Sequence, residues 1–242
     1  MPIHIRLNLL IAASLIAAPA IVQAQATPVA HATKPVKVLE LLHAEDFPAD
    51  ALVQAPPAPG SDVEKLELAY LHALINGTSA ERMEQARRDD ALEDPTIYNQ
   101  VMGVDLKTLP ATWALLHMVH NDADIIADGA KNHFARTRPW GVDPTLPNCD
   151  AGKGKKPTRS YPSGHSTLGY SVGLMLATLA PTKATAVLDR ARDYALSREI
   201  CGVHFPSDTE ASHVIGTIVV ERILANPAAA PRIAAARAEL AR

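Results

Sequence analysis

From position 61 onward, apolar residues return every three to four positions, the period of a helix with one buried face. Val63, Leu66, Ala69, Tyr70, Ala73 and Leu74 mark a first helix, capped by Ser61-Asp62 and stopped by Asn76-Gly77. Thr78 is placed to cap a second, rich in Arg and Glu, from Ser79 to about Leu92, with Asp94-Pro95 ending it. A third starts near Leu109-Pro110-Ala111, with proline in its first turn, and carries Leu115, Leu116, Val119, Ala123, Ile126, Ala127 and Ala130 to about Phe134. A fourth runs from Ser163 or Gly164 to about Leu179. Leu168, Val172, Leu174, Met175, Leu176 and Leu179 make it apolar almost all round, which predicts a central core helix too short to span a bilayer. Further helices are expected over 182–197 and 207–224, then a surface helix over 228–242. No stretch alternates with period two, and no internal repeat occurs. The predicted fold is all-α, a single-domain helical bundle with a long loop between Trp140 and Tyr161.

Two stretches precede the bundle. Residues 1–24 read as a signal peptide: Arg6, then a mostly apolar run from Leu7 to Val22, then small residues that allow cleavage after Ala24 or Ala26. The chain is accordingly expected to be periplasmic or secreted, with no membrane span in its mature form. Residues 25–60 should be extended and proline-containing, but Leu39, Leu41, Leu42, Phe47, Leu52 and Val53 give them enough apolar surface to pack along the domain formed by 61–242.

Composition narrows the partners. At 48% apolar content the 242 residues can build one substantial core. A net charge of −3 gives no reason to expect nucleic-acid binding, so any anion site must be a local cluster. Cys149 and Cys201 are an even count in an exported chain, which favours one disulfide; two unpaired buried thiols are the alternative.

Three stretches hold the candidate chemistry. Lys131 and Arg138 are two helical turns apart and share a face if the third helix nearly reaches Arg138; Pro139 biases Arg138 out of the helix. Pro162-Ser163-Gly164-His165 opens a helix, where backbone N–H groups and the Ser163 hydroxyl can bind an anion and His165 can protonate a leaving oxygen. Ser197-Arg198 to Asp208 adds a guanidinium fork, His204 in a tight loop, and Asp208 in the next helix's first turn. Ser207-x-x-Glu210 reads as a capping box for that turn. Asp208 can then accept from one nitrogen of His204 and leave the other free to attack. Elsewhere, His117, His120, Asp122, Asp124 and Asp128 point to several faces of one helix and read as polar surface rather than metal ligands. Lys153, Lys155 and Lys156 read as a solvated loop.

Lys131-x6-Arg138-Pro139, Pro162-Ser163-Gly164-His165 and Ser197-Arg198-x5-His204-x3-Asp208 together resemble the three-part signature of the phosphatidic-acid-phosphatase type 2 superfamily. Within it the chain looks like the class A bacterial nonspecific acid phosphatases. It departs at Ala58, which interrupts a run of prolines, and at Trp140 and Phe205-Pro206, none of them motif positions. The resemblance implies an acid phosphatase acting on small phosphate monoesters with no cofactor or metal. His204 would be the nucleophile that forms a phosphohistidine, Asp208 its orienting group, and His165 the acid and then the base. Lys131, Arg138, Ser163, Gly164 and Arg198 would hold the phosphoryl oxygens. A vanadium-dependent haloperoxidase and a lipid or diphosphate phosphatase of the same superfamily are the alternatives, and a homo-oligomer is left open.

Overall fold

Helix ends are set by local chemistry. Ser61 accepts from the Glu64 N–H and starts α1, Asp62–Gly77. Ser79, not Thr78, caps α2, Ala80–Ala91, by accepting from the Arg82 N–H; Thr78 instead closes α1. Pro110 opens α3, Pro110–Phe134, whose first free N–H groups at Ala111 and Thr112 donate to the distant Glu239 carboxylate. Ser163 caps α4, Gly164–Leu179. Then follow α5, Ala184–Ile200, α6, Pro206–Ala225, and α7, Ala230–Leu240.

The computed structural model describes Met1 and residues 37–149 and 157–241. The signal peptide, its cleavage sites and Lys153, Lys155 and Lys156 lie outside the described residues. Among those described there is no strand, and the chain is all-α. No described helix is long and apolar enough to cross a membrane.

Helix α4 is the axis of the bundle, packed by α3, α5 and α6. Leu168, Val172, Met175 and Leu176 are fully buried, each worth roughly 1.5–3 kcal/mol relative to an exposed side chain. The last helix is less of a surface element than its sequence suggests: α7 lies on α3 and buries Ile233 and Ala236.

The segment before α1 is not uniformly extended. It forms a 3₁₀ turn, Ala44–Asp46, and one helical turn, Ala49–Leu52, while Leu42, Phe47 and Val53 enter the main core. Asp122 of α3 holds it in place by accepting from the N–H groups of Glu40 and Leu41. Asp122 is therefore fully buried, not part of a polar surface. A one-turn helix, Pro139–Val142, also interrupts the expected loop after Arg138.

Candidate active site

The site forms where the C-terminal ends of α3 and α5 meet the N-terminal ends of α4 and α6. Lys131 stands in the last turn of α3 and is buried. The helix does not continue to Arg138. Ala135 turns left-handed at φ 46°, and Arg138 is extended, φ −69° and ψ 155°. Arg138 therefore reaches the site from the extended chain beyond the helix end, not along a shared helix face. Its Nη1 donates to the Val203 carbonyl at 2.9 Å and lies 3.1 Å from Nε2 of His204.

The α5–α6 connection carries His204. Gly202 sits at φ +62°, and a Cβ there would lie 2.3 Å from the Pro147 carbonyl, so the turn requires glycine. Cys149 and Cys201 form a disulfide, and the Cys149 N–H donates to the Cys201 carbonyl at 3.0 Å. Together they hold the loop after Arg138 against the loop that bears His204.

His204 is almost fully buried. A guanidinium can only donate, so the Arg138 contact requires an unprotonated Nε2. The neutral ring then carries its proton on Nδ1, which faces Oδ2 of Asp208 at 3.3 Å. Asp208 is held more tightly than its own histidine contact would hold it. It accepts from Arg136 Nη1 at 2.7 Å, Ser160 Oγ at 2.5 Å and the Phe205 N–H at 2.9 Å. The expected Ser207–Glu210 capping box does not form. Phe205 precedes the helix, and Asp208, three residues in, closes its first turn; the Ser207 N–H donates to Glu67 instead. Arg136 also pairs with Glu67 at 2.8 Å and stacks 3.9 Å from the Phe205 ring centroid.

Across from His204, Ser163 and Gly164 open α4. Ser163 is fully buried; its N–H donates to Ser212 Oγ at 2.8 Å, and its hydroxyl oxygen accepts from Ser166. A Cβ on Gly164 would lie 3.0 Å from Nζ of Lys131, which places that ammonium at the helix N-terminus. Arg198, in the last turn of α5, pairs with Asp90 of α2. His165 is held by α2 and the residues after it: Nδ1 is 3.2 Å from Glu93 Oε1, and Nε2 is 3.2 Å from the Asp90 carbonyl.

The structure thus gathers Lys131, Arg138, Ser163, Gly164, His165, Arg198, His204 and Asp208 at one place. Buried Nε atoms of Arg138 and Arg198 have no hydrogen-bond partner. Among the described residues no group of His, Cys, Asp or Glu is arranged to hold a metal ion. A groove of about 670 Å³ between the proline segment and α6 touches Tyr161 and Ser207, but none of the eight gathered residues lines it.

Electrostatics follow from this crowding. Burial, then the charges of Arg138, Arg198 and Lys131, push the His204 pKa well below the ordinary histidine range. Burial and Arg198 bring Arg138 down to about 10. Burial also lowers Lys131, against the pull of Asp128 and Asp124. His165 is lowered by burial and by Arg198, with Glu93 and Asp90 opposing. Burial raises Asp208, and Arg136 and Ser160 draw it back. A cluster in which several cations depress one another favours an anion that can be shared among them.

Sequence reasoning missed Arg136, Asp90, Glu93 and Glu67. Arg136 lies inside the Lys131–Arg138 stretch but off its signature. Asp90 and Glu93 belong to the run Arg87-Arg88-Asp89-Asp90-Ala91-Leu92-Glu93-Asp94, which has the look of a solvated helix end. No spacing within the chain links them to His165 or Arg198.

Comparison with known proteins points the same way. A family model described as the PAP2 superfamily matches residues 111–229. An acid phosphatase of Zymomonas mobilis is 31% identical over 172 residues, covering 67% of this chain and 64% of the relative. A non-specific acid phosphatase of Providencia stuartii is 30% identical over 201 residues, covering 79% and 80%. Among solved structures, a transmembrane PAP2-type phosphatidylglycerolphosphate phosphatase from Bacillus subtilis shares the fold. Its TM-score is 0.50 at 18% identity, over 72% of this chain and 87% of that one.

Proposed function

From the premise that the chain belongs to the PAP2 superfamily and is a phosphatase, we propose that it is an exported acid phosphatase. In this reading it hydrolyses small phosphate monoesters through a phosphohistidine on His204, without a metal. The observation that carries the reading is the setting of His204: Nδ1 turned to a tethered Asp208, and an unprotonated Nε2 that accepts from Arg138. In the first step Nε2 attacks phosphorus, the P–O bond to the alcohol breaks, and His165 gives its proton to the departing oxygen. In the second, neutral His165 takes a proton from water, the hydroxide oxygen bonds to phosphorus, and the N–P bond breaks. His204 and a protonated His165 are regenerated. Lys131, Arg138, Arg198, Ser163 and the Gly164 N–H neutralise the equatorial oxygens in both steps. Burial of His165 supports an acidic working range, because its pKa is pushed down and it holds the required proton only at lower pH.

Rapid quenching with a phosphorus-labelled monoester tests the mechanism. The expected product is a protein-bound phosphate that is acid-labile and base-stable, absent in His204→Ala and unaffected by chelator. A labelled His204→Ala, or activity lost to chelator and restored by a divalent ion, would sink it.

A further inference from the structure

His165 has both ring nitrogens engaged. Nε2 faces the main-chain carbonyl of Asp90, which can only accept, so Nε2 carries a proton. Nδ1 faces Oε1 of Glu93. A carbonyl inside α2 cannot swing aside, whereas the half-exposed Glu93 side chain can. Nδ1 is then the nitrogen available to a leaving oxygen, and the Glu93 carboxylate stands where that oxygen arrives. The same carboxylate oxygen is 3.5 Å from the position a Cβ on Gly164 would take, beside the Lys131 ammonium.

The rim is acidic around this point. Asp124 Oδ1 is 3.9 Å from the same Gly164 position. Most rim carboxylates are paired with cations: Asp124 with Lys37, Asp90 with Arg198, and Asp128 with Lys131 and Arg159. The ion pair of Glu93 among the described residues is with His165. Burial works to raise the Glu93 pKa, but protonated His165 and His120 and the Arg198 guanidinium bring it down to about 2, so the carboxylate is charged when His165 carries the proton it donates.

Resting on the phosphatase reading of this site, we propose that Glu93 sets the charge of the leaving group. The enzyme takes phosphate monoesters whose alcohol is neutral or cationic and turns away those whose alcohol carries a second anion near the ester oxygen. Glu93 repels the phosphate of every monoester alike, so the difference between two substrates reads its repulsion of a charge on the alcohol.

Glycerol 3-phosphate and 3-phosphoglycerate differ by one carboxylate and provide the test, with phosphocholine as the cationic member. On the purified full chain, kcat/KM should favour glycerol 3-phosphate over 3-phosphoglycerate by about tenfold, and rising salt should shrink that ratio. Glu93→Gln should bring the two within about twofold, and Glu93→Lys should reverse the order and disfavour phosphocholine. A loss of packing or of His165 alignment would lower all three rates together and leave the ratios in place. Equal wild-type rates, a salt-independent ratio, or a wild-type ratio retained in Glu93→Gln would each overturn the proposal while leaving the phosphatase reading intact. No turnover of any monoester by the wild type would remove that reading and the proposal with it.

Discussion

The two histidines are both shielded from solvent but are held differently. His204 is sealed: nearly all of its surface is buried, and its partner Asp208 is fixed by Arg136, Ser160 and the Phe205 N–H. His165 is only 16% exposed, but its partner is a half-exposed carboxylate. The difference follows from what each is asked to do in the proposed reaction. A nucleophile works best as one fixed neutral tautomer, which burial among cations enforces. A proton carrier must gain and lose a proton in every cycle and reach alcohols of varied shape, which a rigid, sealed pocket would prevent.

That contrast can be broken in several ways. The largest effect is expected at His165. His165→Ala should lower kcat/KM for alkyl phosphates by about 10²- to 10⁴-fold while sparing p-nitrophenyl phosphate, whose leaving group needs no proton. Equal losses on both substrates would place His165 outside proton transfer. On the sealed side the expected loss is stability. Arg136→Leu leaves the buried Asp208 and the partly buried Glu67 without their cation and should cost about 3–5 kcal/mol, read as a drop in the urea midpoint at unchanged m-value. Replacing Cys149 and Cys201 with serine should cost about 2–4 kcal/mol by the same measurement, because the bond closes a loop with a sequence separation of 52.

The smallest effect concerns pH. His165 must be protonated to act, and Glu93 is one of the groups that raise its pKa. Removing that charge in Glu93→Gln lowers the pKa further, so the alkaline limb of the rate profile should move to lower pH by less than about one unit. His204, held well below the ordinary histidine range by burial and by its cation neighbours, should add no limb near neutral pH in either protein. An alkaline limb that stays put or moves upward would separate Glu93 from His165.

Much of this was legible in the chain. Most long helices begin at residues whose side chains or rings act locally, Ser61, Ser79, Pro110, Ser163 and Pro206, so those starts fall within a residue or two of expectation. The three motif stretches likewise carry their own spacing. Expectation failed where a contact crosses between elements. The capping box at Ser207 gave way to Glu67, which arrives from α1. Asp122 looked solvated until the segment before α1 lay over it.

What the sequence determined by itself was the all-α class, most helix starts and the motif residues that the fold gathers at one place, because caps, periodicity and motif spacing are short-range properties of the chain. Only the tertiary structure decided which carboxylate meets which cation. Asp90 and Glu93 reach Arg198 and His165 because α2 packs on α5 beside the start of α4. Arg136 reaches Asp208 because the helix ends at the left-handed Ala135 just before it. Those pairings set the tautomer of His204 and the charge at the mouth. They depend on burial and on distances of a few ångströms between groups far apart in the chain, which local pattern does not encode.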